Sequence, residues 1–195
     1  YGVYGFCIYH YWFGKKQLLE KPMQILLQHP EINIHYCICW ANETWTRVWY
    51  DLKNELLIKQ EYGDKKEWKR HFYYLLPFFR DERYIKIDNK PMINIYHSAE
   101  IERFEEMKIF WNELAKAEGF AGVFLVSGNT SWLLDKRNIA DAYYEFEPGF
   151  TLKHGLRKKE KAAYLLKTLL RTELNKIFKM QKVERMIDPR IIYKN

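Results

Sequence analysis

The sequence predicts an α/β fold, namely a (β/α)8 TIM-type barrel of which the middle part, about five strands, is present in this chain. Predicted strands and helices alternate through short loops, an order that is typical of parallel strands joined by right-handed crossovers. The first strand is apolar almost throughout, which is typical of a strand buried on both faces of a parallel sheet. Polar and aromatic side chains collect where the strands end, and a (β/α)8 barrel keeps its active site at that edge.

A doubly wound parallel sheet is the competing fold. Sheets of that kind that bind nucleotides carry a GxGxxG turn or a Walker loop after a strand. The sequence contains neither motif after any predicted strand, so the barrel is favoured. Because about five strands cannot close a barrel of eight, and because the sequence starts inside a predicted strand, we expect the chain to be part of a longer protein.

The five predicted strands are short segments rich in apolar and aromatic residues, bounded by glycine, proline or polar turn residues. The first four are largely apolar, whereas polar and apolar residues alternate along the fifth, which gives it one polar face. The predicted strands span residues 3–13, 33–40, 91–96, 123–126 and 140–147.

The predicted helices fill the intervals between the strands and carry recognisable start and stop residues. Pro22 is tolerated only near the first turn of the first helix. Asp64 followed by Glu67 resembles a capping box and predicts the start of the second helix. Ser98 is predicted to cap the third helix, which Gly119 ends.

Charge divides the chain into two predicted parts. Residues 1–150 contain 19 Lys and Arg against 21 Asp and Glu, whereas residues 151–195 contain 13 against 4. We predict that 1–150 is a partial barrel with the glycan-binding and catalytic residues, and that 151–195 is a basic amphipathic helical segment that continues the barrel. A helix at 157–182 would pack on the barrel or contact an anionic membrane. The nearly neutral first part argues against nucleic acid as a partner.

Neither a disulfide, a metal nor a cofactor is predicted. Cys7, Cys37 and Cys39 are an odd number without CxxC spacing, and the last two are expected to be small core residues in a reducing compartment. The six histidines show no ligand spacing, and no Asp-x-Asp element appears. The predicted location is the cytoplasm, with peripheral contact to the inner membrane through residues 157–182.

The string CICWANETWTR predicts a carbohydrate site, because it starts as an apolar strand and ends in an abrupt cluster of functional groups. Sugars stack their C–H faces on Trp, and their hydroxyls need partners such as Glu, Asn and Arg. The alternative is that the tryptophans belong to the core and that the Glu and Arg form a surface ion pair. The functional groups belong to Trp40, Asn42, Glu43, Trp45 and Arg47.

Other strands end in further candidate residues. Two carboxylates about 5 Å apart would indicate a retaining glycosidase, and a separation of roughly 6.5–9.5 Å an inverting one. The catalytic candidates are Glu43, Glu145 and Glu147, and the substrate-binding candidates outside the central string are His10, Tyr11, Trp12, Asn94, Tyr96 and Tyr143.

Three segments also carry a family resemblance: YGVYGFCIYHYWF at 1–13, CWANETWTR at 39–47, and the strings LPFF, YIK and KP within 76–91. Together they resemble the WbsX-like glycosyltransferase family of polysaccharide biosynthesis over roughly residues 1–150. The resemblance implies a (β/α)8 barrel related to the family 99 glycoside hydrolases, which include endo-α-mannosidases. It also implies a bacterial role in lipopolysaccharide O-antigen or capsule assembly.

The resemblance has one departure. The family carries an Asn-Glu-Trp…Glu-Gly motif on its last strand, and in the hydrolase relatives that motif supplies the catalytic carboxylates. This sequence does not contain the motif. The resemblance therefore speaks against pairing Glu43 with Glu145 or Glu147 for catalysis.

The favoured function is glycosyl transfer, with a glycan, sugar nucleotide or lipid-linked acceptor as substrate. Trp40 and Trp45 would stack the sugar, Asn42 and Glu43 would bind its hydroxyls, and Arg47 would hold a phosphate or orient Glu43. The first alternative is a hydrolase of the endo-α-mannosidase type acting on α-glycans, with Glu43 as general acid. The second is a non-catalytic glycan-binding module.

Overall fold

The computed structural model describes residues 2–14, 16–46, 56–130 and 133–177. It has a mixed α/β architecture around a mainly parallel sheet, which confirms the predicted α/β class. The chain forms two compact units, one of Tyr1–Asn129 with Asp135–Tyr144 and the other of Thr130–Leu134 with Glu145–Asn195. The predicted division at residue 150 stays a prediction.

The five predicted strands and the predicted helices appear in the predicted order, with boundaries that differ by a few residues, and four further short strands were not predicted. The strands are β1 (Gly5–Phe13), β2 (Lys16–Leu18), β3 (His35–Trp40), β4 (Trp45–Thr46), β5 (Leu56–Ile58), β6 (Lys86–Ile87), β7 (Lys90–Ile95), β8 (Phe124–Asn129) and β9 (Ala142–Glu145). The helices are α1 (Lys21–Gln28), α2 (Lys65–Arg80), α3 (Phe104–Ala117) and α4 (Lys158–Ile177), with a 3-10 turn at Ser98–Glu100 and a π-helical turn at Thr151–Gly155.

The main sheet has the strand order β2-β1-β3-β7-β8-β9, and β6 pairs with β7. Strands β1, β3, β7 and β8 are parallel and follow one another in chain order, with one α-helix in the described part of each connection. The described residues form no closed sheet, so the predicted barrel is not confirmed. Parallel strands end at the same edge, and we call the region formed there the carboxyl edge, which consists of Tyr11, Asn42, Glu43, Trp45, Tyr96, His97 and Glu100.

One face of the sheet packs against the helices. Ile38 and Trp40 of β3 lie opposite Ile93 and Ile95 of β7 in the parallel register, and all four are buried. Because successive side chains of a strand point to opposite faces, this register places an apolar stripe on a single face. The helical residues of the same core are Met23, Leu26, Trp68, Phe72, Leu75, Leu76, Phe78, Phe79, Phe104, Met107, Trp111 and Ala115.

The opposite face carries the three cysteines, all of them free thiols. Cys7 lies beside Cys37 in the register of β1 and β3, and Cys39 lies beside Asn94 in the register of β3 and β7. Nδ2 of Asn94 lies 3.2 Å from Sγ of Cys7 and 3.3 Å from Sγ of Cys37, and donates to both. Cys37 and Cys39 are buried on one face, as the sequence predicts.

The predicted cap of α2 is confirmed. Oδ1 of Asp64 accepts hydrogen bonds from the backbone N–H of Lys66 (3.0 Å) and of Glu67 (3.2 Å). The side chain of Glu67 accepts instead from Nε1 of Trp12 (3.2 Å) and from Arg70 (2.6 Å). Helix α2 therefore has a side-chain cap at its first turn and a link to β1.

The predicted cap by Ser98 is wrong. Ser98 starts a separate 3-10 turn, and α3 begins six residues later at Phe104. The Ser98 hydroxyl donates to Oδ2 of Asp135 (2.6 Å) and contacts the hydroxyl of Ser127. A helix cap would use the hydroxyl oxygen of Ser98 as an acceptor for backbone N–H groups, whereas here its O–H donates to a buried carboxylate. Charge-assisted hydrogen bonds of that kind are about twice as strong as neutral ones.

Asp135 is a buried carboxylate whose side chain is 1% exposed. It accepts from Ser98 and from Nε (2.9 Å) and Nη2 (2.8 Å) of Arg137. Burial by itself raises the pKa of Asp135, but the hydrogen bonds from Arg137 and Ser98 outweigh that effect and lower the pKa to about 2. The ionised form of Asp135 therefore stabilises the fold.

We expect Asp135→Asn to lower the free energy of unfolding by about 2–3 kcal/mol at neutral pH. Because the folded-state pKa is depressed, this contribution is fully present above the unfolded pKa of about 3.8 and disappears as pH falls towards 2. Urea unfolding at several pH values measures the difference between wild type and variant. Asp88→Asn, in an exposed turn, is the control. A difference that stayed constant down to acidic pH would contradict the role given to Asp135.

Helix α4 lies in the second unit and coincides with most of the predicted helix at 157–182, of which residues 178–182 lie outside the described residues. None of the described helices is long and apolar enough to cross a membrane. The predicted apolar stripe is present on the described part of α4 and is exposed at Leu165, Leu166, Leu169, Leu170 and Leu174.

Candidate functional site

Two parallel strands bring the carboxyl edge together. The backbone N–H of Ala41 bonds to the carbonyl of His10 (3.0 Å), and that of Tyr96 bonds to the carbonyl of Trp40 (3.0 Å). These bonds continue the sheet one residue beyond β3 and β7. As a result, Glu43 after β3 and His97 after β7 lie side by side.

Asn42 fastens the ends of β3 and β7 to each other. It is fully buried, its Oδ1 accepts from the backbone N–H of His97 (2.8 Å), and its Nδ2 donates to the carbonyl of His97 (2.9 Å). Nδ2 also donates to the hydroxyl of Tyr62 (3.2 Å). The carboxamide predicted to bind sugar is thus occupied with positioning its neighbours.

Glu43 is the half-exposed carboxylate of the carboxyl edge, with Oε1 3.8 Å from Nδ1 of His97. Burial, and next the charge of Glu100, raise the pKa of Glu43 above its usual range. Burial and the charge of Glu43 raise the pKa of Tyr96 to about 12. The pKa of Tyr11 is raised by burial and, to a smaller extent, by Cys39 and Glu43. Both phenols are therefore neutral neighbours of this carboxylate.

His97 and Glu100 complete an acidic cluster that sequence reasoning missed. Nδ1 of His97 lies 3.6 Å from Oε1 of Glu100, and the His97 ring stacks on Tyr96 with ring centroids 4.4 Å apart. Burial lowers the pKa of His97, an effect that Glu100 partly offsets. The hydroxyl of Tyr62 donates to Oε2 of Glu100 (2.9 Å). The one available signal was that His97 and Glu100 directly follow the third predicted strand.

Three of the predicted substrate-binding residues lie in the core. Trp40 is buried and its Nε1 donates to the backbone carbonyl of Trp12 (3.1 Å). Trp12 stacks on His71 of α2 at 4.5 Å, and Nε2 of His10 lies 2.9 Å from Nε2 of the same histidine. For Trp40, the interpretation that places the tryptophans of the central string in the core therefore applies.

Three aromatic candidates do lie at the carboxyl edge, namely Tyr11, Trp45 and Tyr96. The ring of Trp45 is half-buried and packs edge-on against Tyr11, with centroids 5.2 Å apart, and against Phe13 at 5.4 Å.

Asn94 lies further back on the same sheet face, with its amide bonded to cysteines. Arg47 lies outside the described residues.

The remaining candidates belong to β9 and the segment after it. Tyr143 is in the first unit, and its hydroxyl has no hydrogen-bond partner among the described residues. Glu145 and Glu147 belong to the second unit. Glu147 accepts from the backbone N–H (3.2 Å) and the hydroxyl (2.5 Å) of Thr151, so it caps the π-helical turn.

Comparison with known proteins points to one family. A family model described as glycosyltransferase WbsX matches residues 1–194. Two relatives, both named uncharacterized protein WxcX and found in Xanthomonas campestris pv. campestris strains B100 and ATCC 33913, are 27% identical over 152 residues. The match covers 77% of this chain and 22% of each relative, so the chain spans about a fifth of the length of these curated relatives. No solved structure matches the chain.

Proposed function

This chain belongs to the glycosyltransferase WbsX family, and from that premise we propose that it carries part of the active site of a sugar-transferring enzyme of bacterial polysaccharide biosynthesis. Membership indicates a glycosyl-related enzyme whose substrates are carbohydrates or sugar donors. The finer proposal is transfer onto lipopolysaccharide O-antigen or capsule. A cytoplasmic location belongs to the same proposal. So does peripheral membrane contact through α4, which the exposed leucines among the lysines of that helix support.

The observation that carries the proposal is the carboxylate of Glu43 at an aromatic-lined strand end. Glycosyl transfer needs a base that takes the proton of the acceptor hydroxyl while its oxygen bonds to the anomeric carbon and the leaving group departs from the donor. A carboxylate with a raised pKa is a better base than an ordinary one. Glu43 is half-exposed, next to Tyr11 and Trp45, where a sugar ring can stack.

A (β/α)8 barrel in the complete protein is part of this proposal. Four parallel strands follow one another in chain order, whereas a doubly wound sheet reverses its order at a switch point. The candidate residues follow β3 and β7 at the edge where such barrels hold their active sites.

Hydrolysis is the alternative function, and the pair formed by Glu43 and Glu100 supports it. Glycoside hydrolases use two carboxylates across the scissile bond, one of them a general acid with a raised pKa. Both carboxylates approach the same nitrogen of His97. In that reaction Glu43 would give a proton to the leaving oxygen.

The test uses the whole protein that contains this chain. It is incubated with nucleotide sugars and a lipid-linked acceptor, and separately with α-mannosides, and the products are read by mass spectrometry. We expect the acceptor to gain the mass of one sugar residue. Release of free oligosaccharide from the mannoside without gain on the acceptor would establish hydrolysis instead. No turnover with glycan binding intact would favour a binding module.

A further inference from the structure

Two carboxylates converge on a single imidazole at the carboxyl edge, and among the described residues no Lys or Arg pairs with either of them. Oε1 of Glu43 and Oε1 of Glu100 lie 3.8 and 3.6 Å from Nδ1 of His97, and the two side chains are 47% and 44% exposed. His97 is neutral near pH 7 because burial lowers its pKa. The described residues of this cluster therefore carry net negative charge.

Among the described residues, the cluster also offers more hydrogen-bond acceptors than donors. The Tyr62 hydroxyl donates a hydrogen bond to Oε2 of Glu100, and Oε1 of the same carboxylate lies near His97. His97 is 9% exposed, yet neither ring nitrogen has a hydrogen-bond partner among the described residues. A neutral imidazole supplies one acceptor nitrogen, and each carboxylate supplies two acceptor oxygens. Both ring nitrogens are shielded from solvent. A buried polar ring without a partner is unfavourable, so a ligand N–H that separates the two carboxylates and reaches Nδ1 would stabilise the site.

An ammonium group matches this set of acceptors better than other sugar substituents do. It has three N–H donors, no acceptor and a positive charge, whereas a hydroxyl has one donor and no charge. An N-acetyl group would bring a carbonyl oxygen towards two carboxylates. The neutral phenol ring of Tyr96, stacked on His97, adds a surface that attracts cations.

We infer that the carboxyl edge binds an amino sugar through its free ammonium group, with Glu100 and His97 as the ammonium contacts and Glu43 on the neighbouring hydroxyl. This inference rests on the proposed function and narrows it to a substrate class. Glu100 becomes the residue that selects the substrate, and Glu43 remains the residue that acts on the reacting hydroxyl. The short distances of both carboxylates from one nitrogen fit an amino group and a hydroxyl on adjacent ring carbons.

The test is an NMR titration of the whole protein with three methyl glycosides that share one ring: the free amine, its N-acetyl derivative and the neutral hexose. At about pH 6.5, below the pKa of an aliphatic amine of this kind, we expect the amine to bind at least about tenfold more tightly than the other two. Glu100→Gln should weaken binding of the amine by about 10- to 100-fold, which is the loss of one charge-assisted hydrogen bond. The neutral hexose should bind the variant within about threefold of wild type.

Glu105→Gln is the matched control, because it removes the same charge from an exposed residue of α3. His97→Gln provides a second variant, for which we expect the same selective loss of the amine. Equal affinity for amine and N-acetyl derivative, or equal losses for amine and hexose in Glu100→Gln, would overturn the inference and leave the proposed function standing. If no glycoside bound and no transfer occurred, both the inference and the proposed function would fail.

Discussion

Glu43→Gln is expected to lower kcat/KM for glycosyl transfer by about 10²- to 10⁴-fold, the usual contribution of a positioned general base. The amide cannot take a proton from the acceptor hydroxyl, although it fills the same space as the carboxylate. Glycan binding should weaken much less, because the amide oxygen still accepts a hydrogen bond. The measurement is steady-state kinetics of the whole protein together with a binding titration. Residual activity above about a tenth of wild type would show that Glu43 does not carry the proton.

The pH dependence of the same reaction distinguishes the two proposed roles of Glu43. As a base it works ionised, so kcat/KM should rise with pH through a pKa above the ordinary glutamate range, since burial and Glu100 raise it. As the acid of a hydrolase it would work protonated, and activity would fall over the same interval. Among the described residues, the titratable groups that face it are Glu100, His97, Tyr9, Tyr11, Tyr62 and Tyr96.

Glu100→Gln provides the internal check on that assignment. Removing the like charge should lower the pKa of Glu43, so the rising limb of the profile should move to lower pH. Glu105→Gln, with the same charge change on the exposed surface of α3, should leave the limb in place. If the rising limb of the pH profile moved equally in both variants, it would report the pKa of a group other than Glu43.

The course of the chain was predictable where local rules dominate. Long apolar runs predicted the strands. Asp64 predicted the start of α2, because capping depends on residues adjacent in sequence. The face to which a side chain points was harder to predict. In a strand that is apolar on both sides, periodicity does not distinguish the helix-covered face from the other, so Trp12 and Trp40 were assigned to the site although they lie in the core.

The candidate site depends on contacts between segments that are distant in sequence. Asn42 and His97 are 55 positions apart, and no local pattern indicates that the carboxamide bonds to the histidine backbone. Ser98 resembled a helix cap in the sequence. Asp135, which accepts its hydrogen bond in the structure, lies 37 positions away, so no local pattern indicates that contact. Sequence therefore identified Glu43 as a candidate but not the neighbours that set its charge environment.

Arg83→Met is expected to lower the free energy of unfolding by about 3–5 kcal/mol, because it leaves a buried charge without its partner. All five N–H groups of the Arg83 guanidinium donate hydrogen bonds. Two go to the carboxylate of Asp81 at 3.0 and 2.6 Å. The other three go to the backbone carbonyls of Leu26, His29 and Ile32, at 2.8–2.9 Å. One side chain thus joins the end of α1 to the loop after α2.

The cost of losing Arg83 comes mainly from the groups left behind. The side chain of Asp81 is 9% exposed, so its carboxylate and the carbonyls near α1 would be buried without adequate partners. Urea unfolding of wild type and variant measures the loss, which for a chain of this size corresponds to a fall in Tm of roughly 6–20 °C. Arg80→Met is the control, because that arginine is 59% exposed and pairs only with Glu118 among the described residues, so it should cost at most about 1 kcal/mol.

A second change separates the buried charge from the lost packing. Adding Asp81→Asn to Arg83→Met removes the unpaired carboxylate, so the double variant should be more stable than Arg83→Met alone, although Asp81→Asn by itself is destabilising. Such a sign reversal occurs only if the two side chains are coupled. If Arg83→Met and Arg80→Met caused equally small losses, or if the two changes at 81 and 83 were additive, the guanidinium would not stabilise the junction between α1 and α2 through this ion pair.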